Sequence, residues 1–420
     1  MRDFIVLVFF IASIPISFLN PVRGVLCYAL VSYLNPHRLT WGFAFSLPIA
    51  KVIALATLAG YLFYNGDKAL PKTREIILLT ILWALAFIGW PMALNPSGYV
   101  AELQRFSKIL LMIYMTVCLI KTKEDLRLLM LIIALSIGFY TVKGGVWGLR
   151  GGSGWVRGPA GTFFGDNNEM GMVINMAWPL FLFIAYTEKN KWMGLALRCC
   201  FWIAPLTVVL TKSRGAALAM AVTGSVLFMR VKNKVLILLI GSALFFAFIP
   251  FVPQEWYSRM RTVETYEQDA SAMGRINAWH AAWNMAVDRP LTGGGLRAFT
   301  GWTIYKYAPN PNDFHDVHSI YFEILGELGF PGIAVYLSLI AAVLLKLRVI
   351  KNRARYISDG AFYINYSNAI TLGLVAYLTN GLTLGLAYFD LFYQYVGITV
   401  SLYILLQRDI YMQSQNDGMN

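Results

Sequence analysis

The segment from Asn312 to Gly332, NDFHDVHSIYFEILGELGFPG, places Asp313, His315, Asp316 and His318 directly ahead of an apolar, helix-like run. Histidine titrates nearest neutrality, so it suits accepting a proton from a hydroxyl. Asp313, His315, Asp316 and His318 read as metal ligands match no zinc spacing, whereas a single histidine at the mouth of a cavity, acting as a base, needs none. A histidine that only packs at an interface is the third reading.

Cations that suit a multiply charged anion lie elsewhere in the chain. Arg214, in TKSRGAALAM, follows Ser213 at the start of an apolar run. A guanidinium beside helix N-terminal N–H groups favours phosphate; the competing reading is a side chain that snorkels to water. Arg275 follows Gly274 and shares a helical face with Trp279, with a salt bridge as the competing role. Arg289 and Pro290 lead into LTGGGL, whose glycines either admit a ligand to the backbone or merely turn it. The stretch RGGSGWVRGPAGTFFGDNNEMGM adds Arg157, Asp166, Asn167 and Asn168, the last three being equally good helix caps. Several arginines for an anion and one histidine for a hydroxyl describe a transfer reaction with a diphosphate leaving group. Such a group departs already stabilised by cations, so no carboxylic acid must protonate it, and no carboxylate pair is evident.

The elements that position these residues are membrane helices. The chain has 420 residues, of which 58% are hydrophobic and 14% charged, a balance foreign to a water-soluble domain of this length. A helix crosses a bilayer core with ~20 apolar residues, and such runs recur throughout. They fall near 3–18, 22–34, 44–63, 74–94, 102–119, 125–149, 170–186, 196–211, 214–230, 233–252, 329–346, 362–384 and 389–406. The run 22–34 would reach only ~20 Å, so 1–34 is expected to cross once, broken near Pro21. The N-terminus resembles a signal peptide but lacks a clear cleavage site, and is read as a retained first span.

The net charge of +13 is spread in short clusters between apolar runs, which excludes a nucleic-acid face and signals topology. Every second loop is basic: Lys68, Lys72 and Arg74; Lys121, Lys123 and Arg127; Lys189, Lys191 and Arg198; Arg230, Lys232 and Lys234; and Lys346 to Arg355. This alternation gives about twelve crossings with both ends cytoplasmic; a thirteen-span version with the N-terminus outside keeps every later loop in place. Residues 253–317 form the one long hydrophilic segment and fall outside, between helices in 1–252 and those in 318–420. Within it, Ile276, Trp279, Trp283 and Val287 at helical spacing predict an amphipathic helix, opened by Ser271 and stopped by Pro290, lying on the membrane and roofing a cavity. Cys27, Cys118, Cys199 and Cys200 all lie in apolar runs and imply neither disulfide nor metal site.

The order of motifs resembles the O-antigen ligase and polymerase superfamily of bacterial envelope glycosyltransferases, and most of all an O-antigen ligase. GPAGTFFGDNNEMG is also similar to the branch described as exosortase-associated O-glycosylation ligases. The matching motifs are G-T-F…N-x-x-G at Gly161 to Gly171, S-R-G at Ser213 to Gly215, and G-R-x-x-x-W through R-P-L-x-G-x-G from Gly274 to Gly295. The last is H-S-x-Y-x-x-x-L-x-E-x-G-x-x-G from His318 to Gly332. The resemblance implies an all-α integral membrane protein, GT-C-like, with about twelve transmembrane helices and one large helical periplasmic loop, in the bacterial inner membrane. It implies transfer of a glycan from undecaprenyl diphosphate to a sugar hydroxyl of lipid A-core oligosaccharide, with inversion and with no metal or cofactor.

By the same resemblance His318, not His315, is the base, Arg214 and Arg275 hold the diphosphate, and Arg157 and Arg289 are weaker carry-overs. Asn168, Ser319, Tyr321 and Trp279 are expected near donor or acceptor, although relatives often carry Asn where Ser319 stands. Two lipid-linked substrates require a cleft that opens sideways to the bilayer beneath the loop helix. A polymerase or a protein O-oligosaccharyltransferase would use the same donor. A lipid-linked glycan transporter would instead need no outer histidine and would show paired broken helices.

Overall fold

A computed structural model describes residues 1–152, 154–230, 233–252, 256 and 270–417. Among the described residues all regular structure is helical. The helices are α1 (Arg2–Leu19), α2 (Pro21–Leu34), α3 (Ile49–Phe63), α4 (Arg74–Gly89), α5 (Pro96–Leu119), α6 (Lys123–Leu149), α7 (Asn167–Thr187) and α8 (Lys191–Leu210). They continue with α9 (Arg214–Arg230), α10 (Lys234–Phe248), α11 (Ala270–Asp288), α12 (Gly301–Tyr307), α13 (Ile320–Ala354), α14 (Gly360–Asn380) and α15 (Asp390–Asp417). Each of the thirteen apolar runs lies on one of these, leaving α11 and α12 to the hydrophilic segment. Among the described residues, six segments are long and apolar enough to cross a bilayer: α1, α4 with its 3-10 extension to Met92, α6, α7, α8 and α13.

Asn20 turns the chain back on itself. Pro21 has no N–H to continue α1, and the Asn20 side chain caps α2 by accepting from the Arg23 N–H. Asp3 then accepts from the Ala44 N–H at 3.1 Å, and the Arg2 guanidinium lies 4.5 Å from the Trp41 ring centre. The N-terminus therefore shares an end of the bundle with residues 36–46. This corrects the single-crossing reading of 1–34: α1 and α2 form an antiparallel hairpin, as in the thirteen-run version.

Ion pairs gather the predicted basic loops at the opposite end. Lys121 pairs with Asp67 at 3.3 Å, Lys346 with Glu75 at 2.8 Å, Lys123 with Asp359 at 2.6 Å, and Arg127 with Glu188 at 2.7 Å. Arg230 donates to Asn368 at 3.4 Å, which brings in the fourth cluster. The alternation of loop charge thus becomes a physical segregation of two ends.

α11 corrects the predicted cap and packs through its small residues. The helix begins at Ala270, so Ser271 lies inside its first turn and is not its cap. Trp283 and Val287 are 50% and 56% exposed, while Ala278, Ala281, Ala282, Met285 and Ala286 are buried. The small-residue face is the packed one because it lets α11 approach α13 closely: a Cβ on Gly326 would sit 3.2 Å from Ala282. The exposed tryptophan leaves the other face apolar towards the surroundings. The parts of the hydrophilic segment at 253–255 and 257–269 lie outside the described residues.

α13 breaks at Gly329, whose φ of 66° and ψ of −165° suit glycine alone. At that break the glycine turn docks. The Gly294 N–H donates to Gly326 O at 2.8 Å, the Gly295 N–H to Glu327 O at 2.9 Å, and the Phe330 N–H to Pro290 O at 3.0 Å. The Arg297 N–H donates to the Glu327 carboxylate at 2.7 Å. A Cβ on Gly329 would lie 2.5 Å from Pro290 O. Gly329→Ala is accordingly expected to destabilise the protein by about 3 kcal/mol or more, read as a lowered Tm in detergent.

Candidate active site

His318 stands at the junction where the hydrophilic segment enters α13, with a left-handed φ of 41°. A non-glycine residue holds that conformation only where its surroundings impose it. Here they do. The Trp279 indole N–H donates to Val317 O at 2.8 Å, and its ring stacks on Phe322 at 5.2 Å. On the far side the Ile320 N–H donates to Gly381 O at 2.9 Å. Trp279 is thus a clamp on the backbone beside His318.

The imidazole is half-buried, and burial pushes its pKa below the ordinary histidine value. Asp316 and Asp166 oppose that shift, while Arg275 and His315 add to it. The outcome favours a neutral ring with a free lone pair, the form a proton acceptor requires. The charges of Arg275 on α11 and of Asp166 ahead of α7 are thus close enough to act on the imidazole. Gly274 makes this approach feasible, since a Cβ there would lie 2.1 Å from His315 Nδ1. His315 pairs with Asp313 at 2.7 Å, and among the described residues no group of three or more His, Cys, Asp or Glu side chains could hold a metal ion.

Three helix N-termini converge on this end. Asp166 caps α7 through the Asn168 N–H at 2.9 Å in a reciprocal box with Glu169. Asn168 also donates its side-chain amide to Asp166 at 3.0 Å, so it supports the residue that faces His318. Asn167 donates to Thr211 O at 2.9 Å and ties α7 to the turn before α9. There Ser213 accepts from the Ala216 N–H at 3.3 Å, with Arg214 the first residue of α9. Gly215 sits against Thr383, in the same turn whose Gly381 carbonyl holds the start of α13. The N-terminus of α7 is already capped by carboxylates, whereas that of α9, with Lys212 and Arg214 beside it, carries the positive charge that favours an anion.

The remaining expected residues have other duties or other places. Ser319 is buried and precedes α13 without a side-chain cap bond. The Tyr321 hydroxyl donates to Leu378 O at 3.0 Å, bracing α13 against α14. Arg289 donates through Nε to Gly293 O at 2.7 Å and through Nη2 to Met92 O, so it staples the glycine turn. Arg157 lies on a Trp155 ring at 5.2 Å, in a cavity whose lining includes none of His318, Arg214 or Arg275.

Sequence reading missed Lys212, which is buried with a φ of 55° beside Ser213. Its signal was a second cation in T-K-S-R-G. It also found no carboxylate pair, yet Glu323 and Glu327 stand one helical turn apart on α13. Glu323 accepts from the Ala387 N–H at 2.8 Å and Glu327 from Arg297, which makes both braces for loops around the site. Glu327 was visible as the acidic position of the last motif.

Residues 199–337 match the family model described as O-antigen ligase, and residues 1–176 match one described as a family of unknown function. The first match spans α9, α11, the glycine turn and His318. No protein of curated function matches the chain.

Proposed function

Across residues 199–337 the chain belongs to the O-antigen ligase family, and on that premise we propose that it transfers a glycan from undecaprenyl diphosphate to a sugar hydroxyl of lipid A-core oligosaccharide. The family itself points to glycosyltransferase-type chemistry in membrane glycan assembly. The observation that carries the finer reading is the half-buried, neutral-leaning His318 facing Arg275 at an end where the N-termini of α7 and α9 meet.

In this reaction the acceptor hydroxyl gives its proton to the His318 imidazole as its oxygen attacks the anomeric carbon. The bond from that carbon to the diphosphate oxygen breaks, and the electron pair leaves with undecaprenyl diphosphate. Attack opposite the leaving group inverts the configuration. The growing negative charge falls towards Arg214, Arg275 and the helix N-termini, which is where preorganised donors lower a barrier most. Lys212 adds a further cation beside Arg214. The basic end of the bundle is read as cytoplasmic by the positive-inside rule, which puts His318 and the N-terminus on the periplasmic face of the inner membrane. About a dozen crossings follow, with 253–317 as the periplasmic segment.

The test is purified protein incubated with undecaprenyl-diphosphate glycan and lipid A-core, with and without EDTA. Glycan-capped lipid A is expected in equal amount in both. Release of undecaprenyl diphosphate without capped lipid A would overturn the ligase assignment, and loss of product in EDTA would overturn the metal-free mechanism. Replacing the acceptor by a second undecaprenyl-linked glycan, or by a Ser/Thr peptide, separates polymerase and protein-glycosylating activities.

A further inference from the structure

A cavity of about 1150 Å³ lies between α6, α8 and the segments 38–45 and 155–160. Arg2, Arg38, Lys143, Arg150 and Arg157 line it, and no carboxylate does among the described lining residues. Three of these cations rest on rings: Arg2 on Trp41 at 4.5 Å, Arg38 on Phe45 at 4.7 Å and Arg157 on Trp155 at 5.2 Å. Aromatic faces hold a guanidinium without neutralising it. None of the five forms an ion pair among the described residues, unlike the basic residues at the other end of the bundle. Five like charges around one space attract an anion.

The shape of the space specifies what kind of anion. Along α6 the lining positions Leu135, Phe139, Lys143, Trp147 and Arg150 keep helical spacing, so the cavity runs down one face. From Leu135 to Arg150 that is ~22 Å. The cations occupy one part of this length, and beyond Lys143 the wall is apolar, ending at Ala196 and the exposed Cys199 of α8. Lys143 lies six residues before the end of an apolar helix, exposed towards the cavity. A lysine at that depth in a membrane helix is retained where it faces a polar partner. Gly161, with φ 75°, lies 3.5 Å by its would-be Cβ from the Arg38 guanidinium, so the G-T-F motif leaves that charge room.

We propose that this cavity binds a lipid with an anionic phosphate headgroup, the phosphate on Arg38, Lys143 and Arg150 and the hydrocarbon chain along α6 and α8 towards Cys199. A soluble anion would leave the apolar half of the space unfilled, and a neutral lipid would leave the cations uncompensated. The lining of this site includes none of His318, Arg214 or Arg275.

Cys199 reports occupancy directly. In phosphatidylcholine nanodiscs, its alkylation by a membrane-permeant maleimide is measured by peptide mass spectrometry, alone and with phosphatidylglycerol, undecaprenyl diphosphate or lipid A. At least one of the three anionic lipids is expected to slow labelling of Cys199 fivefold or more while leaving Cys27 unchanged. Arg38→Gln with Lys143→Gln is expected to abolish that protection. Protection confined to undecaprenyl diphosphate or lipid A makes this a substrate anchor; protection by phosphatidylglycerol as well makes it a general phospholipid site. If none of the lipids protects the wild type, or if the double variant is protected as well, the proposal is overturned. The readout is lipid occupancy, so it stands or falls independently of glycan transfer.

Discussion

Replacing His318 with alanine is expected to lower kcat/KM for glycan transfer by ~10²–10⁴, the span a positioned general base contributes. Donor binding should change little, because the diphosphate is assigned to Arg214, Arg275 and helix N-termini. Alanine also tests more than the imidazole, since residue 318 sits at a φ of 41° that strains any side chain. His318→Asn keeps a residue tolerant of that conformation and removes only the base, so an equal loss in both variants isolates the proton transfer. The pH dependence carries a sign. Burial lowers the His318 pKa, so the neutral base persists below the ordinary histidine range and is lost only as pH falls through that depressed value. Activity should therefore hold steady from neutral pH to below ~6.5 and then decline. A decline that begins above that value, or full activity in His318→Asn, would remove His318 from the mechanism.

Arg275→Ala should reduce kcat by ~10²–10³, the cost of removing one preorganised charge from a developing anion. It makes a second prediction that a structural role would not share. Arg275 pushes the His318 pKa down, so its removal lets that pKa rise, and the acid limb of the pH profile must move to higher pH. Arg275→Lys keeps the positive charge but not the planar fork, so the limb should stay near its wild-type position while part of the rate is lost. A variant that lost rate with an unmoved profile would assign Arg275 to folding alone.

Element type was legible because it depends on local chemistry. Thirteen apolar runs became helices, since a chain this hydrophobic can satisfy its backbone in a bilayer only within helices or closed barrels. The basic loops segregated to one end because their charges are costly anywhere but at an interface. The α1–α2 hairpin was harder to read. A run of 13 residues, 22–34, is ambiguous in length, and contact of Asp3 with Ala44, 41 positions apart, decided it. On α11 the alanines are buried and Trp283 and Val287 exposed, because close approach to α13 rewards small side chains over large ones.

By itself the sequence determined an all-helical membrane protein, the segregation of its basic loops, and the residue types able to accept a proton and hold an anion. Only tertiary structure decided which of them meet. It brought the charges of Arg275 and Asp166, from segments far apart in the chain, to act on His318, turned Arg289 into a staple, and put Arg157 in a cavity whose lining lacks His318. The physical reason is that helix formation depends on neighbours a few residues away. The field at an imidazole depends on every charge that packing brings within a few ångströms.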